Sequence, residues 1–145
     1  MAALAASWQF WAVLAAFAAA LTALFAKLGV SGIDPDLATF LRTAVVILAL
    51  GLILAATGKW RLDGPVPARS WVFLVLSGLA TGASWVCYFR ALQLGEVAKV
   101  APVDKLSVVL VALMGVLFLG ERLSAAGWLG VGLIAAGTLL LAWRG

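Results

Sequence analysis

Apolar residues run through this chain in long unbroken stretches, and polar residues gather in the short gaps between them. Five stretches stand out: residues 7–29, 37–57, 70–94, 100–119 and 124–143. Each is close to the ~20 residues that cross a ~30 Å hydrocarbon core as an α-helix. Inside a bilayer every backbone N–H and C=O needs a partner within the protein, so these stretches are predicted to be helices. A β-barrel would show alternating segments of about 10 residues, whereas the runs here are continuous. The gaps at residues 30–36, 95–99 and 120–123 are short turns. The gap at 58–69 carries Pro65, Pro67, Gly64 and charges of both signs, and reads as a surface connector. The expected fold is therefore an all-α integral membrane protein with five transmembrane helices in a single domain, residues 1–145.

Composition agrees. Of 145 residues, 66% are hydrophobic and 11% charged, against roughly 45–50% and about 25% in soluble domains. No basic segment precedes the first stretch and its apolar run is too long for a secretory leader, so residues 5–26 are expected to form the first helix. The one cysteine, Cys87, excludes an internal disulfide, and the absence of histidine excludes the common zinc sites. No cofactor is expected. The net charge of +4 is dispersed, so the Lys and Arg residues suit a membrane surface and not nucleic acid.

Several residues mark where helices begin, end and meet. Asp34 followed by Pro35 is a helix start, with Asp34 capping the free N–H groups. Gly29 and Gly32 close the preceding helix, and Ser124 caps the last one. Pro102 falls in the first turn of the fourth stretch, where its missing N–H costs little. Small residues permit close helix approach in lipid: Gly78 and Gly82 in the third stretch, Ala126, Gly130 and Gly137 in the fifth, Ala16, Ala20 and Ala23 in the first. These serve packing within the bundle or a subunit interface, which the fifth helix suits best.

The positive-inside rule leaves orientation open. Lys59, Arg61, Arg69 and Arg122 fall on one side, Lys99 and Arg144 on the other. Counting the cations within the stretches (Lys27, Arg42, Arg90, Lys105) reverses the bias. Both a single orientation and a dual topology, with copies inserted in both directions, fit this balance.

Because consecutive stretches alternate in direction, Lys27, Arg42, Arg90, Asp104 and Lys105 are expected at one end of the bundle. Ionisable groups at membrane depth are costly and mark functional sites by default. Lys27 shares a face with Ala23 and is expected either to point inward or to reach the interface from its helix end. Arg42 lies seven residues after Pro35, about 10 Å in at ~1.5 Å per residue, and is expected to line a cavity or pair with Asp104. Asp104, the one acid inside a stretch, is rotated about 100° from Lys105 on an ideal helix. Its expected partner is Arg42, Lys27 or Arg90, either as a helix-registering pair or as a working site. Thr81, Ser84, Trp85 and Tyr88 share a face that ends near Arg90 and Gln93. There Trp85 and Tyr88 serve as interface anchors or as an aromatic wall beside the cations. The candidate substrate-binding set is therefore Lys27, Arg42, Trp85, Tyr88, Arg90, Asp104 and Lys105. The remaining tryptophans are read as belt residues, and Glu96 and Glu121 as solvated loop-edge acids.

Gly120-Glu121-Arg122-Leu123-Ser124, followed by Gly130, Leu133-Ile134 and Gly137, resembles the end of the EamA repeat of the drug/metabolite transporter superfamily. Tyr88-Phe89-Arg90-Ala91-Leu92-Gln93-Leu94-Gly95, then Ala101-Pro102-Val103-Asp104-Lys105-Leu106-Ser107, resembles a bacterial single-repeat branch. So does Ala26-Lys27-Leu28-Gly29 leading to Asp34-Pro35-Asp36-Leu37-Ala38-Thr39. The resemblance implies a small-solute transporter. Its usual members carry two repeats in opposite orientation around a central cavity and work by alternating access. A chain with one repeat is then expected to act as an antiparallel homodimer in a bacterial inner membrane, its partners being a small-molecule substrate and the lipid bilayer. The sequence departs from the family in having Pro102 ahead of the middle of the fourth helix. It also lacks the first-helix acid on which small multidrug resistance relatives depend. The alternative is a non-transporting membrane assembly or lipid-handling subunit. An enzyme is not expected, since no histidine, close pair of in-span acids or nucleophile–base motif is present.

Overall fold

A computed structural model describes residues 7–61 and 64–143. Ala5 and Arg144, which entered the reading of the first helix and of the charge balance, lie outside the described residues. Among the described residues there are six helices: α1 (Trp8–Gly29), α2 (Pro35–Thr57), α3 (Ala68–Leu94), α4 (Val97–Asp104), α5 (Ser107–Leu119) and α6 (Ala125–Trp143). Together α4 and α5 make one span, Val97–Leu119, so five segments are long and apolar enough to cross a membrane. Large apolar side chains point outward all along them, among them Ile47, Leu79, Leu117 and Leu133. A helix apolar all round belongs in lipid or against another chain.

The helix ends follow from local chemistry. Asp34 Oδ1 accepts the backbone N–H groups of Asp36 and Leu37, both at 3.0 Å, and Pro35 occupies the first turn. Ser124 Oγ accepts from Gly127 N–H at 3.1 Å and so caps α6. α2 ends at Gly58, whose φ of +66° lets Lys59 N–H reach the carbonyl of Leu54 at 3.1 Å. That left-handed turn satisfies a carbonyl at the helix end at no Cβ cost. Gly120, with φ +68°, turns the chain after α5. Glu121 N–H bonds the Gly115 carbonyl at 3.1 Å and the Glu121 carboxylate folds over Gly115, where a Cβ would meet Oε2 at 2.7 Å.

The fourth span departs from expectation. It begins at Val97, with Glu96 as the preceding residue, so Pro102 lies inside α4 and not in a first turn. The helix stops at Asp104 and resumes at Ser107. Between them, Lys105 N–H bonds Pro102 C=O at 2.9 Å and Leu106 N–H bonds Val103 C=O at 3.0 Å, a tightening to i→i−3 bonds. The proline supplies no N–H to the carbonyl four residues back, and a stretch of 3₁₀ bonding inside a span is a common hinge.

The chain divides into two compact units: Ala26–Gln93, and the segments before and after it. In the second of these, both α4 and α5 pack on α6, and Gly115 and Thr138 are buried. In Ala26–Gln93 the buried side chains are Ala26, Val30, Ala38, Thr39, Phe89 and Leu92. All come from the end of α1 and the turn after it, the start of α2 and the end of α3, so the core of this unit sits at one end of its helices.

The cap at Asp34 gives a direct check. Asp34→Ala leaves two N–H groups without their acceptor and is expected to lower stability by about 1 kcal/mol. Asp34→Asn retains most of it. Thermal unfolding of the purified protein in detergent reads both; equal midpoints for Ala and wild type contradict the assignment.

Candidate functional site

The Ala26–Gln93 unit gathers Lys27, Arg42, Trp85, Tyr88 and Arg90, and the neighbouring unit holds Asp104 and Lys105. Three polar ties close the first unit at its buried end. Lys27 Nζ, in the last turn of α1, donates to the Leu92 carbonyl at 2.5 Å. Leu92 is fully buried, at 0% exposure, and its carbonyl lies in the last turn of α3, where no i+4 donor remains. A cation there also complements the negative end of the helix dipole. Arg90 grips Asp36 with two bonds, Nε to Oδ1 at 3.2 Å and Nη2 to Oδ2 at 2.6 Å. Gln93 Nε2 donates to the Ile33 carbonyl at 3.3 Å. Beside these ties a small pocket of about 190 Å³ is lined by Lys27, Val30, Ser31, Gly32 and Gln93.

Arg42 is placed differently. Its guanidinium carbon lies 3.4 Å from the centroid of the Trp85 ring, and Trp85 is in turn held edge-on by Tyr88 at 5.6 Å and Phe89 at 5.8 Å. The aromatic group is thus a wall against which the cation is flattened. Arg42 and Trp85 also line a groove of about 460 Å³ between α2 and α3. Thr43 and Val46 complete its α2 side, and Leu74, Ser77, Gly78, Thr81 and Gly82 its α3 side. A Cβ at Gly78 or Gly82 would meet nothing within 4 Å. These glycines therefore widen the groove.

The hydroxyls of the groove are partly used. Thr43 Oγ1 donates to the Thr39 carbonyl and Thr81 Oγ1 to the Ser77 carbonyl, each at 2.8 Å. These are back-bonds to the preceding turn. Both oxygens can still accept. The donors left for a guest are the in-plane N–H groups of Arg42 and the hydroxyl of Ser77.

Within its own unit, Asp104 pairs with its neighbour, Lys105 Nζ to Oδ2 at 3.1 Å. Neighbours about 100° apart still meet here because the lysine side chain is long and flexible, and the chain tightens to i→i−3 bonds at Lys105 and Leu106. Within the Ala26–Gln93 unit, Arg90 pairs with Asp36. Asp36 was missed because the second span was started at Leu37. Pro35 at the first helical position was the available signal, since it places Asp36 in the first turn of α2.

The EamA-like transporter family matches residues 6–143. A protein of Sinorhizobium sp, described as an uncharacterized transporter in cobO 3'region, is 62% identical over 136 residues, which cover 94% of this chain and 96% of that protein. No solved structure matches the chain.

The Lys27 tie predicts a stability effect. Lys27→Met strands a buried carbonyl and is expected to cost about 1–3 kcal/mol, while Lys27→Arg keeps a donor and most of the stability. Chemical unfolding in detergent micelles measures both; a Met variant as stable as wild type contradicts the tie.

Proposed function

We propose, for a chain that belongs to the EamA-like transporter family and is a multi-pass membrane transporter, that it moves a small metabolite across a bacterial inner membrane by alternating access as an antiparallel homodimer. The observation that carries this reading is a match to one copy of the family's repeat. The chain matches the family once across residues 6–143, and a relative 62% identical is covered over 96% of its own length. The two-repeat architecture that the resemblance implies is then supplied by two inverted copies. The near balance of Lys and Arg across the spans favours insertion in both directions. α6 offers a surface for the second copy, because a Cβ at Gly130 or Gly137 would meet nothing within 4 Å.

In this dimer each copy contributes the seven candidate residues, Lys27, Arg42, Trp85, Tyr88, Arg90, Asp104 and Lys105. Arg42, Trp85 and Tyr88 contact the solute. Asp104 and Lys105 sit where the fourth span breaks, and their pairing changes as the two halves of that span move. The alternative of a non-transporting assembly or lipid-handling subunit gives way, since the family is one of transporters.

A reporter fused after the last helix is expected to be found on both sides of the membrane. Detection on one side alone removes the dual-topology part. Asp104→Asn is expected to abolish solute flux in proteoliposomes while size-exclusion chromatography still shows a dimer. Unchanged flux contradicts a working role for Asp104, and an aggregated variant makes the pair structural.

A further inference from the structure

We propose that the groove between α2 and α3 binds an amphiphilic organic anion: one carboxylate, sulfonate or phosphate group on an apolar or aromatic body. Arg42 takes the charged group. Trp85, Val46 and Leu74 take the body. The proposal rests on the reading of the chain as a small-solute transporter and names the class of solute.

The sign of the charge follows from what lines the groove. None of its nine lining residues is acidic. The acids nearest in sequence, Asp34 and Asp36, are used in the α2 cap and in the pair with Arg90. An ammonium group would find no counter-charge there, and a zwitterion would leave its cationic end unmatched. Arg42, by contrast, has no carboxylate partner among the described residues of its own unit, and lies about 10 Å into its span at ~1.5 Å per residue from Pro35. A cation at that depth without a counter-ion is costly, and an anionic guest relieves the cost.

The geometry makes the guanidinium ready for such a guest. Stacking on Trp85 at 3.4 Å uses the face of the group and leaves its N–H edge, which matches the two oxygens of a carboxylate or phosphate. Ser77 adds a hydroxyl whose proton is not spent on the described chain, and Thr43 and Thr81 have theirs committed to backbone carbonyls. The body of the solute is indicated by Val46, Leu74 and Trp85, and by the bare floor at Gly78 and Gly82. A volume of about 460 Å³ is in the range of small-molecule sites. Lys27, Arg90 and Lys105 are engaged with Leu92, Asp36 and Asp104. Arg42 is therefore the cation that sets the preference.

The test uses the full-length protein in nanodiscs of phosphatidylcholine, titrated calorimetrically with three probes of one shape: phenylacetate, phenylacetamide and phenethylammonium. Phenylacetate is expected to bind at least tenfold more tightly than either of the others. Arg42→Gln removes that preference, Arg42→Lys keeps part of it, Trp85→Leu weakens all aromatic probes severalfold, and Lys59→Gln, in the connector, changes nothing. If Arg42→Gln does not fold, Arg42→Lys and Trp85→Leu still decide. Repeating the titration with phosphatidylglycerol in the disc separates two sources of the same chemistry. An Arg42-dependent loss of phenylacetate binding identifies a lipid headgroup as the natural anion, and unchanged binding identifies a free solute. Equal affinity for phenylacetate and phenylacetamide, preference for phenethylammonium, or wild-type selectivity in Arg42→Gln overturns the proposal. A one-sided reporter would end the dual-topology reading and leave these ratios untouched.

Discussion

A hydrocarbon core offers no hydrogen bonds, and this constraint organises the whole chain. Every polar group inside a span must be matched by the protein or by what the protein carries. The backbone answers with helices. The charges answer one by one: Arg90 with the Asp36 carboxylate, Lys27 with the Leu92 carbonyl, Lys105 with Asp104. Arg42 answers with the aromatic face of Trp85. That difference in partner separates Arg90 and Lys27, which tie helices together, from Arg42, which faces an open groove.

The elements were legible in the sequence to the extent that they are set by local chemistry. Apolar runs of about twenty residues fixed the spans, and Asp34, Pro35 and Ser124 fixed helix starts, because capping acts over two or three residues. The break at Lys105–Leu106 was hidden. The span was started at residue 100, which put Pro102 in a harmless first turn, whereas three further residues at its start place the proline inside α4. The same sensitivity to boundaries concealed Asp36. Pairings such as Arg90 with Asp36 depend on register between helices 54 residues apart in sequence, and a helical period carries no information about that register. The Arg42–Trp85 contact was half visible: depth and face composition pointed Arg42 at a cavity, and only the fold set it on Trp85.

The fold relates these parts in a way that suits transport. The Ala26–Gln93 unit is closed at its core end by charged and polar ties and opened by a groove between α2 and α3. The other unit carries the broken span, with both halves on α6. In the proposed mechanism the groove would hold the solute and the break in the fourth span would supply a hinge. Glycines that meet no neighbour on α3 and on α6 have separate uses in this account, room for a solute and room for a second copy.

Solute flux tests the central claim most directly: Arg42, in the groove between α2 and α3, selects the cargo. Purified protein in phosphatidylcholine proteoliposomes, supplied with radiolabelled phenylacetate or phenylacetamide, should carry the carboxylate faster than the amide once passive leakage is subtracted. The difference should vanish in Arg42→Gln. Carboxylate flux that persists unchanged in that variant, or an amide carried as fast as the acid, contradicts the account.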